Sequence, residues 1–112
     1  MLRQFNVYRN TSAATRDKLP YYMLIQDDYY DDLATRVIVP LARNNKLPLW
    51  QSHLAPGVNI DFETFLIYSP MITNLNNNKI NPKDFVCNLR NARHDVIAAV
   101  DRLLTNTWRQ PV

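Results

Sequence analysis

Apolar and polar residues recur with two different periods along the chain. From Gln4 to Tyr68 the apolar positions come in short alternating or continuous runs, the pattern of strands. Gln4-Phe5-Asn6-Val7-Tyr8-Arg9 alternates as a half-buried strand does, and Tyr21 to Gln26 is a second run. The longest β-branched run, Ala34-Thr35-Arg36-Val37-Ile38-Val39-Pro40-Leu41-Ala42, is fenced by Asp27-Asp28-Tyr29-Tyr30-Asp31-Asp32 and Arg43-Asn44-Asn45-Lys46. It reads as a strand buried on both faces, ending or bulging at Pro40, which lacks a ladder donor. Val58-Asn59-Ile60 and Thr64 to Tyr68 are two more strands, joined by a tight turn at Asp61-Phe62-Glu63.

After Asn78 the period lengthens. Phe85, Leu89, Ala92, Val96, Ala99 or Val100, and Leu103 recur every three or four residues, as on an amphipathic helix. Asn81-Pro82 is one capping signal and Asn88 a later one; the helix is expected over about 88–104. Asn10 to Pro20 reads as an exposed loop, Lys46 to Ala55 as irregular, and Pro70 to Asn78 as loosely regular with a turn at Asn76-Asn77-Asn78. The tail 105–112 holds poor helix formers and a proline. Short strands at close spacing followed by one helix predict a mainly β domain, a small barrel or sandwich with a C-terminal α-helix. At 112 residues the chain is expected to be one domain, with barrel strands over about 4–80.

Composition narrows the function classes. The single glycine, Gly57, excludes phosphate-cradling loops of the Walker or dinucleotide type, which need several. One cysteine, Cys87, excludes an intrachain disulfide framework and fits a reducing cytosol. The net charge of +3 is mild, with Lys and Arg scattered, so it does not by itself argue for nucleic acid. No stretch approaches the roughly 20 apolar residues of a membrane span, and the N-terminus lacks the apolar core of a signal peptide. No cofactor is expected.

Catalytic chemistry is poorly supplied. Cys87 lies among apolar neighbours with no histidine nearby in sequence, and reads as a buried thiol. His53 and His94 are 41 positions apart, without metal-ligand spacing. The four carboxylates Asp27, Asp28, Asp31 and Asp32 lack the glycine-bearing pattern of a calcium loop, so no metal site is expected. The functional reading of that hexapeptide is protein recognition: Tyr29 and Tyr30 give stiff contact area, and the carboxylates attract an arginine-rich partner. Its alternative is a solubilising turn. Arg36, flanked by apolar strand residues, needs a nearby carboxylate or a ligand. Trp108 follows the helix, either as a second contact residue or folded back over the barrel.

Taken together, the order and spacing resemble the CcdB family, toxins of plasmid and chromosomal toxin–antitoxin pairs that poison DNA gyrase. The resemblance is carried by Gln4-Phe5-x-Val7-Tyr8, by Gln26-x-Asp28-Tyr29-Tyr30-Asp31, and by Thr35-Arg36-Val37-Ile38-Val39-Pro40-Leu41. It closes with Leu89 and the Arg93 to Asp101 segment, and spans roughly Gln4 to Thr107. It implies an SH3-like β-barrel of the CcdB/MazF type, acting as a homodimer in the bacterial cytoplasm with no chemistry of its own. It also implies three relationships: poisoning of the gyrase A subunit with cleaved DNA, neutralisation by a CcdA-type antitoxin, and repression of the shared operon. Operator DNA is then met only through the antitoxin.

The gyrase contacts so implied are Tyr29, Tyr30, Asp101, Leu104, Thr105, Asn106 and Thr107, with Tyr8 and Arg9 as antitoxin contacts. The family typically ends in Trp-Gly-Ile, whereas this chain has Thr105-Asn106-Thr107 and five more residues. A one-turn shift puts Trp108 in the tryptophan's place. Two alternatives remain open: a MazF-like endoribonuclease drawing its cations from Arg36 and the loop Arg9 to Lys18, and a non-toxic relative that only binds its antitoxin.

Overall fold

The computed structural model describes residues 2–43 and 53–106. Among the described residues seven antiparallel strands form one sheet: β1 (Asn6–Arg9), β2 (Tyr21–Leu24), β3 (Thr35–Arg43), β4 (Gly57–Ile60), β5 (Glu63–Ile67), β6 (Thr73–Asn76) and β7 (Phe85–Asn88). An α-helix follows the last strand, α1 (Arg93–Leu104). The order across the sheet is β4-β5-β3-β2-β1-β7, with β6 paired to β3. The end strands β4 and β7 share no ladder, so the sheet curls into a half-barrel and does not close. The chain is mainly β with one C-terminal helix, as the two periods predict.

β3 is the centre of this arrangement. Its first half, Thr35 to Ile38, pairs with β6, its end, Leu41 to Arg43, pairs with β5, and β2 lies along its other edge. Ile38 and Val39 are both buried, on opposite faces, which satisfies the prediction of a strand covered on two sides. The expected stop at Pro40 does not occur. The ladder bond from the Ile25 N–H to the Val37 carbonyl, with the register Tyr22↔Pro40, makes Pro40 a non-hydrogen-bonded position towards β2. Its nitrogen therefore lies on the other edge, just past the end of β5, where the Pro40 carbonyl accepts the Tyr68 N–H at 3.0 Å and the strand runs on.

β1 departs from the half-buried reading. Val7 and Tyr8 are both buried because each face is covered. Val7, Met23, Val39 and Leu41 join Ile60, Phe65 and Ile67 in the main core, which Val96 of α1 and Ala92 just before the helix close. On the opposite face Tyr8, Leu24, Ile38 and Ile80 make a smaller core. Burial of such side chains contributes about 1.5–3 kcal/mol each, so the two cores, not local propensity, hold the sheet.

The helix begins later than expected. The Asn81 side chain accepts from the Lys83 N–H at 3.0 Å and opens only one 3-10 turn, Pro82–Asp84. Phe85, expected on the helix, instead starts β7 and pairs with Tyr8. The Asn88 side chain accepts from the Arg90 N–H at 3.0 Å just ahead of a second short turn, Arg90–Ala92, and regular α-helix starts at Arg93. Thr73 to Asn76, read as loosely regular, is strand β6, and Asn76 caps the expected turn after it. Asp61 (φ 51°) and Phe62 (φ 66°) form the two-residue hairpin between β4 and β5, both left-handed as a type I′ turn requires.

Candidate functional site

The acidic hexapeptide is a built turn. Asp28–Tyr30 forms a single 3-10 turn, and the Asp27 carboxylate accepts the Tyr29 N–H at 2.9 Å. Asp28 accepts the Gln4 N–H at 2.7 Å, and the Gln26 side chain donates to the Tyr30 carbonyl at 3.1 Å. Two of the four carboxylates thus hold backbone, leaving those of Asp31 and Asp32 without a side-chain hydrogen bond among the described residues. Behind the turn stands Arg36, only 6% exposed. Its guanidinium donates to the carbonyls of Asp31 at 2.6 Å and Leu33 at 2.8 Å, and to Asn77 Oδ1 at 3.2 Å. Of the carboxylate or ligand expected beside Arg36, no carboxylate bonds it among the described residues; backbone carbonyls and one amide hold the guanidinium. Asn77 completes the clamp by donating to the Leu33 carbonyl at 2.8 Å.

This scaffold projects two tyrosines into solvent. Tyr29 is 82% and Tyr30 52% exposed, and their rings meet edge to face with centroids 5.1 Å apart. Such a pair is a rigid amphipathic contact surface, because each ring fixes the other and both hydroxyls stay wet.

The second expected patch, the end of α1, has a capped geometry. The N–H groups of Thr105 and Asn106 both reach the Asp101 carbonyl at 2.8 Å, and Asn106 is left-handed (φ 49°). The Thr105 hydroxyl donates to Asp101 Oδ1 at 2.6 Å. Leu104 is exposed. Thr107 and Trp108 lie outside the described residues.

Gln4 and Phe5 connect the two patches, a role nothing in the sequence signals. Besides holding Asp28, Gln4 donates from its side chain to the Ile25 carbonyl at 3.0 Å and accepts from Arg93 at 3.3 Å. Gln4, Phe5 and Ile25 form one wall of an apolar cleft whose other wall is α1, from Val96 to Asp101, Leu104 and Thr105. Phe5 is buried with φ 70°, a costly conformation for a bulky side chain, held by the bond from its N–H to the Leu24 carbonyl at 2.6 Å.

The antitoxin candidates separate. Arg9 is exposed, whereas Tyr8 is 2% exposed, stacked on Tyr22 and edge-on to Phe85. Tyr8 therefore stands under the surface and presents no ring to a partner. Tyr22 is pushed up to about 12 by burial first, then by the charge of Asp84. Cys87 is likewise raised, by burial and then by Asp61, which keeps the thiol protonated and unreactive. His53 and His94 are exposed, and no three potential metal ligands converge among the described residues. No helix among them is long and apolar enough to cross a membrane.

The family model described as CcdB protein matches residues 4–106 of the 112-residue chain. The chain belongs to the CcdB family. Membership makes it a toxin of the toxin–antitoxin type, and places an antitoxin and gyrase among the family's partners in general. No curated protein matches the chain. The matched span includes both candidate patches up to Asn106 and stops before Trp108, so the family likeness does not extend to that tryptophan.

Proposed function

We propose that this CcdB-family protein is a homodimeric poison of DNA gyrase that binds the gyrase A subunit and traps the enzyme with cleaved DNA. The observation that carries the reading is the pair Tyr29 and Tyr30, exposed, edge to face, and held on a turn clamped by Arg36 and capped by Asp27. Preorganisation matters here, because ordering a flexible loop on binding costs about 0.5–1.5 kcal/mol per side chain. The free carboxylates of Asp31 and Asp32 steer a basic partner, and Asp101, Leu104, Thr105 and Asn106 extend the surface across the cleft, followed by Thr107 and Trp108 in sequence. A CcdA-type antitoxin neutralises the toxin through a surface that includes Arg9 with Tyr8 beneath it, and the pair represses its own operon, with operator DNA bound by the antitoxin.

Against the endoribonuclease alternative stands Arg36: it is buried and its fork is occupied by carbonyls, so it offers nothing to a phosphate. Induced expression in a bacterial host tests the proposal. Growth arrest relieved by a substitution in the gyrase A subunit is the expected result. Arrest that persists in such a strain, or message cleavage abolished by an arginine substitution, overturns it.

A further inference from the structure

A second cleft, of about 660 Å³, opens at the start of α1 and uses the same Gln4 and Phe5. Its lining includes Arg3, Arg90, Arg93, Asn88 and Asp28. Three arginines and one acidic residue thus line the cleft, and Asp28 already accepts the Gln4 N–H. The side chains of Arg3 and Arg90 make no hydrogen bond or ion pair among the described residues, and Arg93 has only the neutral Gln4 amide oxygen. The floor is fixed: Asn88 donates to the Gln4 carbonyl and to Asn6 Oδ1, each at 3.0 Å. Positive charge in excess over a preorganised polar floor is the arrangement that receives carboxylates or phosphates bidentately.

The arginine cleft at the start of α1 and the apolar cleft beside the helix adjoin at Gln4 and Phe5, so one extended segment can reach both. One cleft is cationic; the other is lined by Ile25, Ile97, Val100 and Leu104. The twelve residues of α1 span about 18 Å, the reach of five or six extended residues. We propose that these adjoining clefts seat a segment of a partner protein, with carboxylates at one end against Arg3, Arg90 and Arg93 and apolar side chains at the other. A nucleic-acid backbone fits less well, because the Asp27 to Asp32 turn flanks the clefts and the apolar one offers phosphates no donor. The inference does not require gyrase to be the partner; it shares with that reading only Asp101, Leu104 and Thr105.

The test uses the full chain and a fluorescent peptide, Glu-Asp-Glu-Ala-Leu-Ala-Leu-Phe, read by anisotropy against its twin Lys-Arg-Lys-Ala-Leu-Ala-Leu-Phe. The acidic peptide should bind at least about tenfold more tightly, about 1.4 kcal/mol, and Arg3→Glu with Arg90→Glu should abolish the difference. Ile97→Asp should weaken both peptides. Melting curves of the variants confirm the fold, since Arg3, Arg90 and Ile97 are exposed. Equal binding of the two peptides, or a charge-reversed protein that still prefers the acidic one, overturns the proposal. So does a DNA duplex that outcompetes the peptide, a charge-reversed protein that sediments as a smaller species, or tighter peptide binding by a chain ending at Asn106. Those three results give the clefts to nucleic acid, to a second copy, and to the protein's own terminus.

Discussion

Replacing Arg36 by methionine keeps most of the stem and removes the guanidinium. Of the four bonds lost, the three shortest, to the Asp31 and Leu33 carbonyls and to Asn77 Oδ1, are charge-assisted, and the fourth, to the Thr35 carbonyl, is long at 3.3 Å. At about 1.5–3 kcal/mol each the three shortest total roughly 5–9 kcal/mol. Against this, burying a guanidinium without a carboxylate costs several kcal/mol, which the variant no longer bears. The Leu33 carbonyl keeps its bond from Asn77, and Asp31 is exposed enough for water to replace the arginine. The balance is a loss of about 2 kcal/mol, or roughly 8 °C in Tm for a domain of this size. Urea denaturation should show the midpoint falling with the slope unchanged. Hydrogen exchange should show the Tyr30, Asp31 and Leu33 amides, which close the acidic turn, losing protection beyond the global change. Arg36→Lys should lie between, since an ammonium cannot fork to two carbonyls. A methionine variant as stable as the parent, with those amides equally protected, refutes the clamp.

Tyr30→Ala should weaken binding to the gyrase A subunit by about 2 kcal/mol, roughly thirtyfold, in a surface-resonance titration; parental affinity removes the tyrosine pair from the site. Deleting Trp108 to Val112 should also weaken that binding, and an unchanged affinity would leave the surface ending at Asn106. Phe62→Gly should raise stability by about 0.5–1 kcal/mol, because a fully exposed phenylalanine at positive φ adds strain and little burial; a loss shows that Phe62 packs on something. The Tyr22 phenol, raised from 10.0 to about 12, favours the neutral form in the fold. Its stabilising effect is present below pH 10 and lost as pH rises through about 12, so Tyr22→Phe should flatten the alkaline fall in stability over that window. An identical fall in the variant refutes the assignment.

The parts legible in the sequence are those where side-chain chemistry decides structure. β3 is visible because a Val- and Ile-rich run has few other places to go, and the acidic turn because two tyrosines among carboxylates cannot be core. Where the backbone decides, the sequence is silent. The partners of Arg36 are carbonyls, which every residue carries. The connecting role of Gln4 depends on a left-handed Phe5 that no pattern announces. β7 is hidden by chance: Phe85 and Leu89 stand four apart and imitate a helix turn, although the strand runs from Phe85 to Asn88 between them. Tyr8, an antitoxin contact by resemblance, lies beneath the surface because Tyr22 and Phe85 close over it. The CcdB likeness supplied the fold and partner classes through collinear order, without any single diagnostic motif.

Engagement of gyrase by the clamped Tyr29–Tyr30 turn is tested most directly by trapped DNA cleavage. Purified gyrase incubated with supercoiled plasmid, ATP and this protein, then denatured with detergent, reports trapped cleavage directly. Linear DNA should rise with the concentration of the parent protein and fall sharply with the Tyr29→Ala/Tyr30→Ala variant at equal folded concentration. Linear DNA that does not rise at large molar excess of the parent, or that rises equally with the variant, contradicts the account.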